Sequence, residues 1–95
     1  MSLLNEQLIQ RFKEVGEQIP TNNPLILARL YIPWNDWEWL VSEYYPKANA
    51  FYGYVIKDWI GKRNYFSIPE AEWLNEFQIQ RDPEFTEVFF DTIDL

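Results

Sequence analysis

The stretch YIPWNDWEWLVSEYYP, residues 31–46, decides the fold of this chain. It holds three tryptophans and three tyrosines, and its part from 37 to 45 has the aromatic-rich composition of a β-strand. Pro33 stands in the turn before this run, and Pro46 ends it. We therefore predict a strand over 37–45 and ask whether its aromatic side chains form a core or a binding surface.

Three further strands are predicted around this one. Runs with strand composition lie at 25–32, 51–60 and 65–68, and turn-forming residues separate them, including GKRN at 61–64. Short connections favour antiparallel neighbours, because a parallel crossover needs a dozen or more residues. The sheet is therefore predicted as a four-stranded antiparallel meander over about 25–68.

Helices are predicted on both sides of the sheet in sequence. Apolar residues recur three and four positions apart over about 3–17, which predicts an amphipathic helix with Ser2 as its N-cap and Gly16 near its end. A short helix and an acidic tail are predicted over about 69–95. The 95 residues are the size of one domain, which we predict to be of the α+β class.

Side chains alternate between the two faces of a strand, so the strand at 37–45 can be divided into two sets. Five of its residues are predicted to face the core together: Trp37, Trp39, Val41, Glu43 and Tyr45. The strand at 51–60 is largely apolar on both faces, with Tyr52 and Tyr54 on the second.

Three interpretations fit an apolar second face. The helices and tail cover it, or it binds a protein partner, or its aromatic side chains form a stacking platform for a sugar or a base. We favour packing and predict that Trp39, Val55 and Phe66 are core residues.

The net charge of −7 is confined to the last third of the chain. Residues 1–63 hold seven acidic and seven basic side chains, whereas residues 64–95 hold eight acidic side chains and Arg81 alone. Binding to nucleic acid needs clustered cations, so we do not expect it. Two interpretations of the acidic segment stay open: it imitates a polyanion toward a basic protein, or it only keeps the protein in solution, which is the interpretation we favour.

The sequence lacks residue types that several kinds of catalytic and binding site require. Histidine and cysteine are absent and the three glycines are isolated, so we expect no catalytic motif, metal site or bound cofactor. No apolar run is long enough to cross a membrane, and the N-terminus lacks the layout of a signal peptide, which favours the cytoplasm. A hydrolase using two carboxylates, Glu43 and Asp82, remains an alternative.

Four motifs in order resemble the family called domain of unknown function 2958. They are WEWLVSEYYP at 37–46, FYGYVI at 51–56, NYFSIPEAEWL at 64–74 and IQRDPEF at 79–85, and the resemblance covers about residues 3–90.

The chain departs from the family pattern at three positions. Asn64 stands where the family often has glycine, Ile68 replaces leucine and Gln80 replaces glutamate. The resemblance implies no defined activity. It implies an accessory role, because the family's members are similar to small proteins encoded on mobile elements.

We predict from these observations a non-enzymatic domain that binds another protein. The partner is expected to have a basic surface. The predicted contact residues are aromatic side chains of the sheet and acidic side chains of the tail: Trp34, Trp37, Tyr44, Tyr52, Tyr54, Glu84, Glu87 and Asp91. The alternative from another class is a small-molecule or glycan-binding module that uses Trp34, Trp37 and Tyr44.

Glu43 is the one acid predicted on the core face of the strand at 37–45. A buried carboxylate needs a partner, and the guanidinium of an arginine can satisfy it with two hydrogen bonds. Arg81 is the single cation of the last third and belongs to the arginine–aspartate pair of the family motif. We predict a Glu43–Arg81 ion pair that holds the C-terminal segment to the sheet.

Overall fold

The computed structural model describes residues 4–34, 36–57, 60–67 and 79–93, with the backbone alone for residues 60–65 and 67. The short helix predicted after the sheet lies outside these residues. None of the described helices is long and apolar enough to cross a membrane.

Helix α1 spans Glu6–Val15 and is the predicted amphipathic helix. Asn5 is its N-cap, since the side-chain oxygen of Asn5 accepts a hydrogen bond from the Leu8 amide at 2.7 Å. The helix therefore begins later than predicted, and the prediction of Ser2 as the cap is wrong. Gly16 ends it with a φ of 73°, in the left-handed region that glycine adopts without strain.

Seven strands follow in the described residues: β1 (Leu25–Ile26), β2 (Ala28–Tyr31), β3 (Glu38–Tyr45), β4 (Ala50–Lys57), β5 (Ile60–Ser67), β6 (Gln80–Arg81) and β7 (Val88–Phe89). Five of them form one antiparallel sheet in the order β5-β4-β3-β2-β6, and β1 pairs with β7 in a second, two-stranded sheet. The predicted α+β class and the antiparallel meander β2 to β5 are confirmed. The short strand β6 adds a fifth strand to the sheet, beside β2.

Three element boundaries differ from the prediction. Residues 61–64, predicted as a turn, lie inside β5, because the register pairs Lys57 with Ile60. The run at 25–32 divides at Leu27, since β1 pairs with β7 whereas β2 pairs with β3 and β6. The tail, for which no strand was predicted, contains β6 and β7, each of two residues, before a 3₁₀ turn at Phe90–Thr92.

A β-bulge at Ser42 changes the alternation of β3. Val41 stands opposite Gly53 and Glu43 opposite Tyr52, so Ser42 is an extra residue in β3. A Cβ atom on Gly53 would overlap the carbonyl oxygen of Leu40, which explains why glycine occupies this position. The predicted division of β3 into two faces is therefore wrong after Val41.

Helix α1 covers one face of the large sheet. The buried residues of this face, here called the helix-side cluster, are Phe12, Leu27, Ala28, Leu30, Ile32, Trp39, Val41, Phe51 and Ile79. Trp39 is 3% exposed, as predicted, while Val55 and Phe66 are half-buried and pack against the cluster. Tyr44 packs here too, because the bulge brings it opposite Phe51.

The C-terminal segment covers the other face. The tail-side cluster consists of Ile26, Leu40, Tyr54 and Ile56, against which three residues of the tail pack: Phe85, Phe90 and Ile93. The rings of Tyr54 and Phe90 stack with centroids 3.6 Å apart and planes 7° from parallel. Packing therefore explains the apolar second face of β4, as we favoured from the sequence.

Candidate functional site

A cleft of about 300 Å³ lies beside the turn between β2 and β3 and is here called the Arg29 cleft. It is lined by Arg29, Tyr31, Ile32, Pro33, Asp36, Trp37, Glu38 and Ile56. Strand geometry explains the grouping. Arg29 and Tyr31 alternate onto one face of β2, Glu38 stands opposite Tyr31, and Ile56 stands opposite Glu38.

Arg29 is the electrostatic centre of this cleft. Its guanidinium lies 3.4 Å from a carboxylate oxygen of Glu38 and 3.4 Å from one of Asp82. The same group sits over the ring of Tyr31, 4.7 Å from the centroid. All three charged side chains are between 27% and 30% exposed, so water screens these pairs in part.

Trp37 lines the cleft, and Trp34 follows the lining residue Pro33 in the chain. Trp34, in the turn, is 61% exposed, and it is one of two large hydrophobic residues in the described chain with this degree of exposure. Trp37 is half-buried, with its ring 5.9 Å from that of Trp39, and the ammonium group of Lys57 lies 5.0 Å from its centroid. Trp34 is therefore free to contact a partner, whereas Trp37 joins the cleft to the core.

The other predicted aromatic contact residues do not form a surface with these two. Tyr44 packs between Phe12 and Phe51, with centroids at 6.0 and 5.1 Å. Tyr54 is 9% exposed beneath Phe90, and Tyr52 is half-buried. The prediction of an exposed contact residue is wrong for Tyr54, because the tail covers it. Tyr44 is half-buried against the helix.

The acidic tail is partly neutralised within the chain. Glu87 accepts hydrogen bonds from two nitrogens of Arg11 at 2.9 to 3.1 Å, and the pKa of Arg11 is raised, first by this hydrogen bonding and then by the charge of Glu87. Asp82 pairs with Arg29. Glu84 and Asp91 remain exposed. Two of the tail's acids therefore hold it to the rest of the chain.

A second hollow, of about 200 Å³, lies between the end of α1 and the end of β3 and is here called the Glu43 hollow. Its lining residues are Phe12, Lys13, Gly16, Glu17, Glu43, Tyr44 and Tyr45. Glu43 is 3% exposed, so its predicted burial is confirmed.

The predicted Glu43–Arg81 ion pair is wrong. Oε1 of Glu43 accepts from the backbone amide of Gln18 at 2.9 Å and from the hydroxyl of Tyr45 at 2.8 Å. Arg81 lies in β6 opposite Leu30, and no ion pair between the two forms, although both are described residues. Donors closer in the fold satisfy Oε1, whereas Oε2 of Glu43 and Nε of Arg81 have no hydrogen-bond partner.

Gln18 is a buried polar residue whose importance the sequence analysis did not predict. It is 8% exposed, and its side chain donates to the carbonyls of Leu25 at 2.8 Å and Ser42 at 2.9 Å while accepting from the Leu25 amide at 2.7 Å. These bonds join the loop after α1 to the bulge in β3. The isolated Gly53 was a usable signal for that bulge, but nothing local marks Gln18.

The carboxylate pair proposed for hydrolysis is not assembled. Glu43 lines the hollow beside α1, whereas Asp82 contacts Arg29 at the other cavity. Among the described residues, no three acidic side chains lie close enough together to hold a metal ion. The two cavities therefore offer aromatic surface, ion pairs and one buried carboxylate.

Comparisons of the chain with protein-family models, with curated proteins and with solved structures find no match. The resemblance to the domain of unknown function 2958 stays a prediction.

Proposed function

We propose that this chain is a non-enzymatic protein-binding domain whose contact surface is centred on Trp34. The 61% exposure of Trp34 is the observation that carries the proposal. Exposing a large aromatic side chain to water is unfavourable, and tryptophan and arginine are the residues that most often dominate the energy of protein interfaces. Arg29 lies in the adjoining cleft.

The charges around Trp34 favour a basic partner. The carboxylates of Asp36, Glu38 and Asp82 lie in or beside the Arg29 cleft, against the cations Arg29 and Lys57. A partner with a lysine or arginine next to an apolar pocket would complement this surface, because opposite charges steer and orient association. The cytoplasmic location and the accessory role expected from the sequence belong to the same proposal.

The test is an affinity capture from the native host with wild-type protein, Trp34→Ala and Phe89→Ala, followed by quantitative mass spectrometry. Phe89 is 53% exposed and serves as the matched control for the loss of an exposed aromatic ring. We expect at least one partner that Phe89→Ala captures in the same amount as wild-type protein. The amount of this partner captured by Trp34→Ala should be lower by at least about tenfold. If Trp34→Ala and Phe89→Ala capture every protein in equal amounts, the proposal is wrong.

A second candidate function rests on the Arg29 cleft itself. The cleft combines the aromatic rings of Tyr31 and Trp37 with polar side chains, those of Arg29, Asp36 and Glu38. Aromatic rings suit the apolar face of a sugar, and the polar groups suit its hydroxyls. Titration of the protein with mono- and disaccharides, observed by NMR, separates the two functions. A ligand of this cleft would depend on Trp37, whereas the proposed protein partner depends on Trp34.

A further inference from the structure

The C-terminal segment covers the tail-side cluster without being deeply buried itself. None of the residues 85–93, here called the strap, is fully buried, and its three apolar anchors are half-buried: Phe85, Phe90 and Ile93. The cluster beneath them is at most 9% exposed. The strap therefore gains little from its own burial, whereas its removal would place the apolar side chains of the cluster in contact with water.

The contacts of the strap join it to residues that lie far from it in sequence. Within it, β7 pairs with β1, and the ring of Phe90 stacks on that of Tyr54. Three hydrogen-bonded contacts of 2.9 to 3.1 Å add to these: the Phe90 amide to the Pro24 carbonyl, the Asp91 amide to the Asn23 side chain, and Arg11 to the Glu87 carboxylate. A strap of the same sequence from a second molecule would make the same contacts.

A two-residue turn, Pro83 and Glu84, connects the strap to β6, and both residues are exposed. Asp82 remains with the sheet, because its amide donates to the carbonyl of Arg29 at 2.9 Å. Two hydrogen bonds close the turn onto Asp82, from the Glu84 amide to its side chain at 3.0 Å and from the Phe85 amide to its carbonyl at 3.4 Å. A residue that precedes proline favours extended backbone, so an opened turn continues the direction of β6 and carries the strap away from its own cluster.

We infer that the strap exchanges between two copies of this chain, each strap covering the tail-side cluster of the other copy. Such a domain-swapped dimer keeps every strap contact and changes the backbone only at the turn, so the exchange costs little beyond the lost free motion of the two molecules. A second copy supplies the aromatic ring for Tyr54 and the carboxylate for Arg11 in the spacing that the fold already accepts. This interface is separate from the surface around Trp34 and does not depend on the function proposed for it.

The test is a disulfide between two molecules that requires exchange. The chain has no cysteine, and Leu25 of β1 stands opposite Phe89 of β7, a placement close enough for a disulfide. The variants Leu25→Cys and Phe89→Cys are mixed at high protein concentration in a buffer with oxidised glutathione, and mass spectrometry measures the mixed disulfide. A mixture of Lys47→Cys and Phe89→Cys is the control, since Lys47 is exposed in the turn between β3 and β4.

We expect the mixed disulfide of Leu25→Cys with Phe89→Cys to exceed that of the control mixture by at least about tenfold, because exchange holds the two thiols together. Equal amounts of mixed disulfide in the two mixtures overturn the inference. Light scattering on wild-type protein needs no variant, and the fraction of dimer should rise with protein concentration. A wild-type chain that stays monomeric at every concentration also overturns the inference.

Two proline variants examine the turn. Pro83→Ala should lower the fraction of dimer by about two- to fivefold, because Asp82 loses its preference for extended backbone. Pro46→Ala, at an exposed proline in the turn after β3, is the matched control and should leave that fraction unchanged. A dimer that both variants leave unchanged does not form through this turn, and the inference is then wrong.

A synthetic peptide of residues 85–93 distinguishes the second copy from another occupant of the cluster. Added in excess to the mixture of Leu25→Cys and Phe89→Cys, it should lower the mixed disulfide, because it competes for the same contacts. If the peptide binds to a chain that stays monomeric, the cluster accepts a segment of a different protein and the inference is wrong.

Discussion

The Arg29 cleft and the Glu43 hollow use similar residue types in opposite settings. At the cleft, ion pairs of 3.4 Å join side chains that are 27% to 30% exposed. Beside the hollow, the amide of Gln18 donates to Glu43 at 2.9 Å, and these two residues are 8% and 3% exposed. The side chain of Gln18 makes three more hydrogen bonds, to Leu25 and Ser42, at 2.7 to 2.9 Å. Burial strengthens polar contacts and makes their loss costly. The hollow should therefore matter for stability, and the cleft for binding.

The largest expected effect belongs to the tryptophan between these regions. Trp39→Ala should lower the free energy of unfolding by about 3–5 kcal/mol, because the indole is 3% exposed and its removal leaves a cavity. Trp34→Ala removes the same side chain from a site that is 61% exposed and should change stability by about 0.5 kcal/mol or less. Denaturant melts of both variants measure the difference. Equal losses would show that the turn is not a free surface.

The next effect tests the hollow side of the comparison. Gln18→Ala removes three side-chain hydrogen bonds and leaves the Leu25 amide without its acceptor, so we expect a loss of about 2–3 kcal/mol. Gln10→Ala, on an exposed position of α1, is the control and should stay within about 0.5 kcal/mol of wild type. A melt in which Gln18→Ala matches Gln10→Ala would mean that these buried bonds contribute little.

Much of the fold could be predicted because its signals are local. The amphipathic spacing around Phe12 marks α1, and the aromatic runs mark β3 and β4. The two faces of β4 are also correct, with Phe51 and Tyr54 in different clusters. These features depend on periodicity and composition, which a sequence displays directly.

The remaining features depend on contacts between distant residues. β6 and β7 have two residues each, too few for a periodic pattern, and they form only because β2 and β1 are available to pair. The bulge at Ser42 reverses the alternation of β3, so Tyr44 could not be assigned to its face from spacing alone. The prediction for Glu43 failed because one of its donors is a backbone amide, that of Gln18, which no pairing of charged side chains reveals.

The smallest expected effect tests the cleft side of the comparison. Arg29→Gln removes the guanidinium that lies between Glu38 and Asp82 and over the ring of Tyr31. Since these pairs are long and partly exposed, we expect a loss of about 1 kcal/mol or less, which should shrink further at high salt. Asp82 also keeps its hydrogen bond from the Glu84 amide at 3.0 Å without Arg29. Denaturant melts at low and high salt measure the change.

Arg29→Lys sharpens this last measurement, because it keeps the charge and loses the planar group that lies over Tyr31. If charge pairing dominates, Arg29→Lys should resemble wild type, and if the contact with the ring dominates, it should resemble Arg29→Gln. A loss of about 3 kcal/mol or more for Arg29→Gln, unaffected by salt, is the behaviour of a buried ion pair. That result would remove the distinction between the two regions, since the cleft would then stabilise the fold as the hollow does.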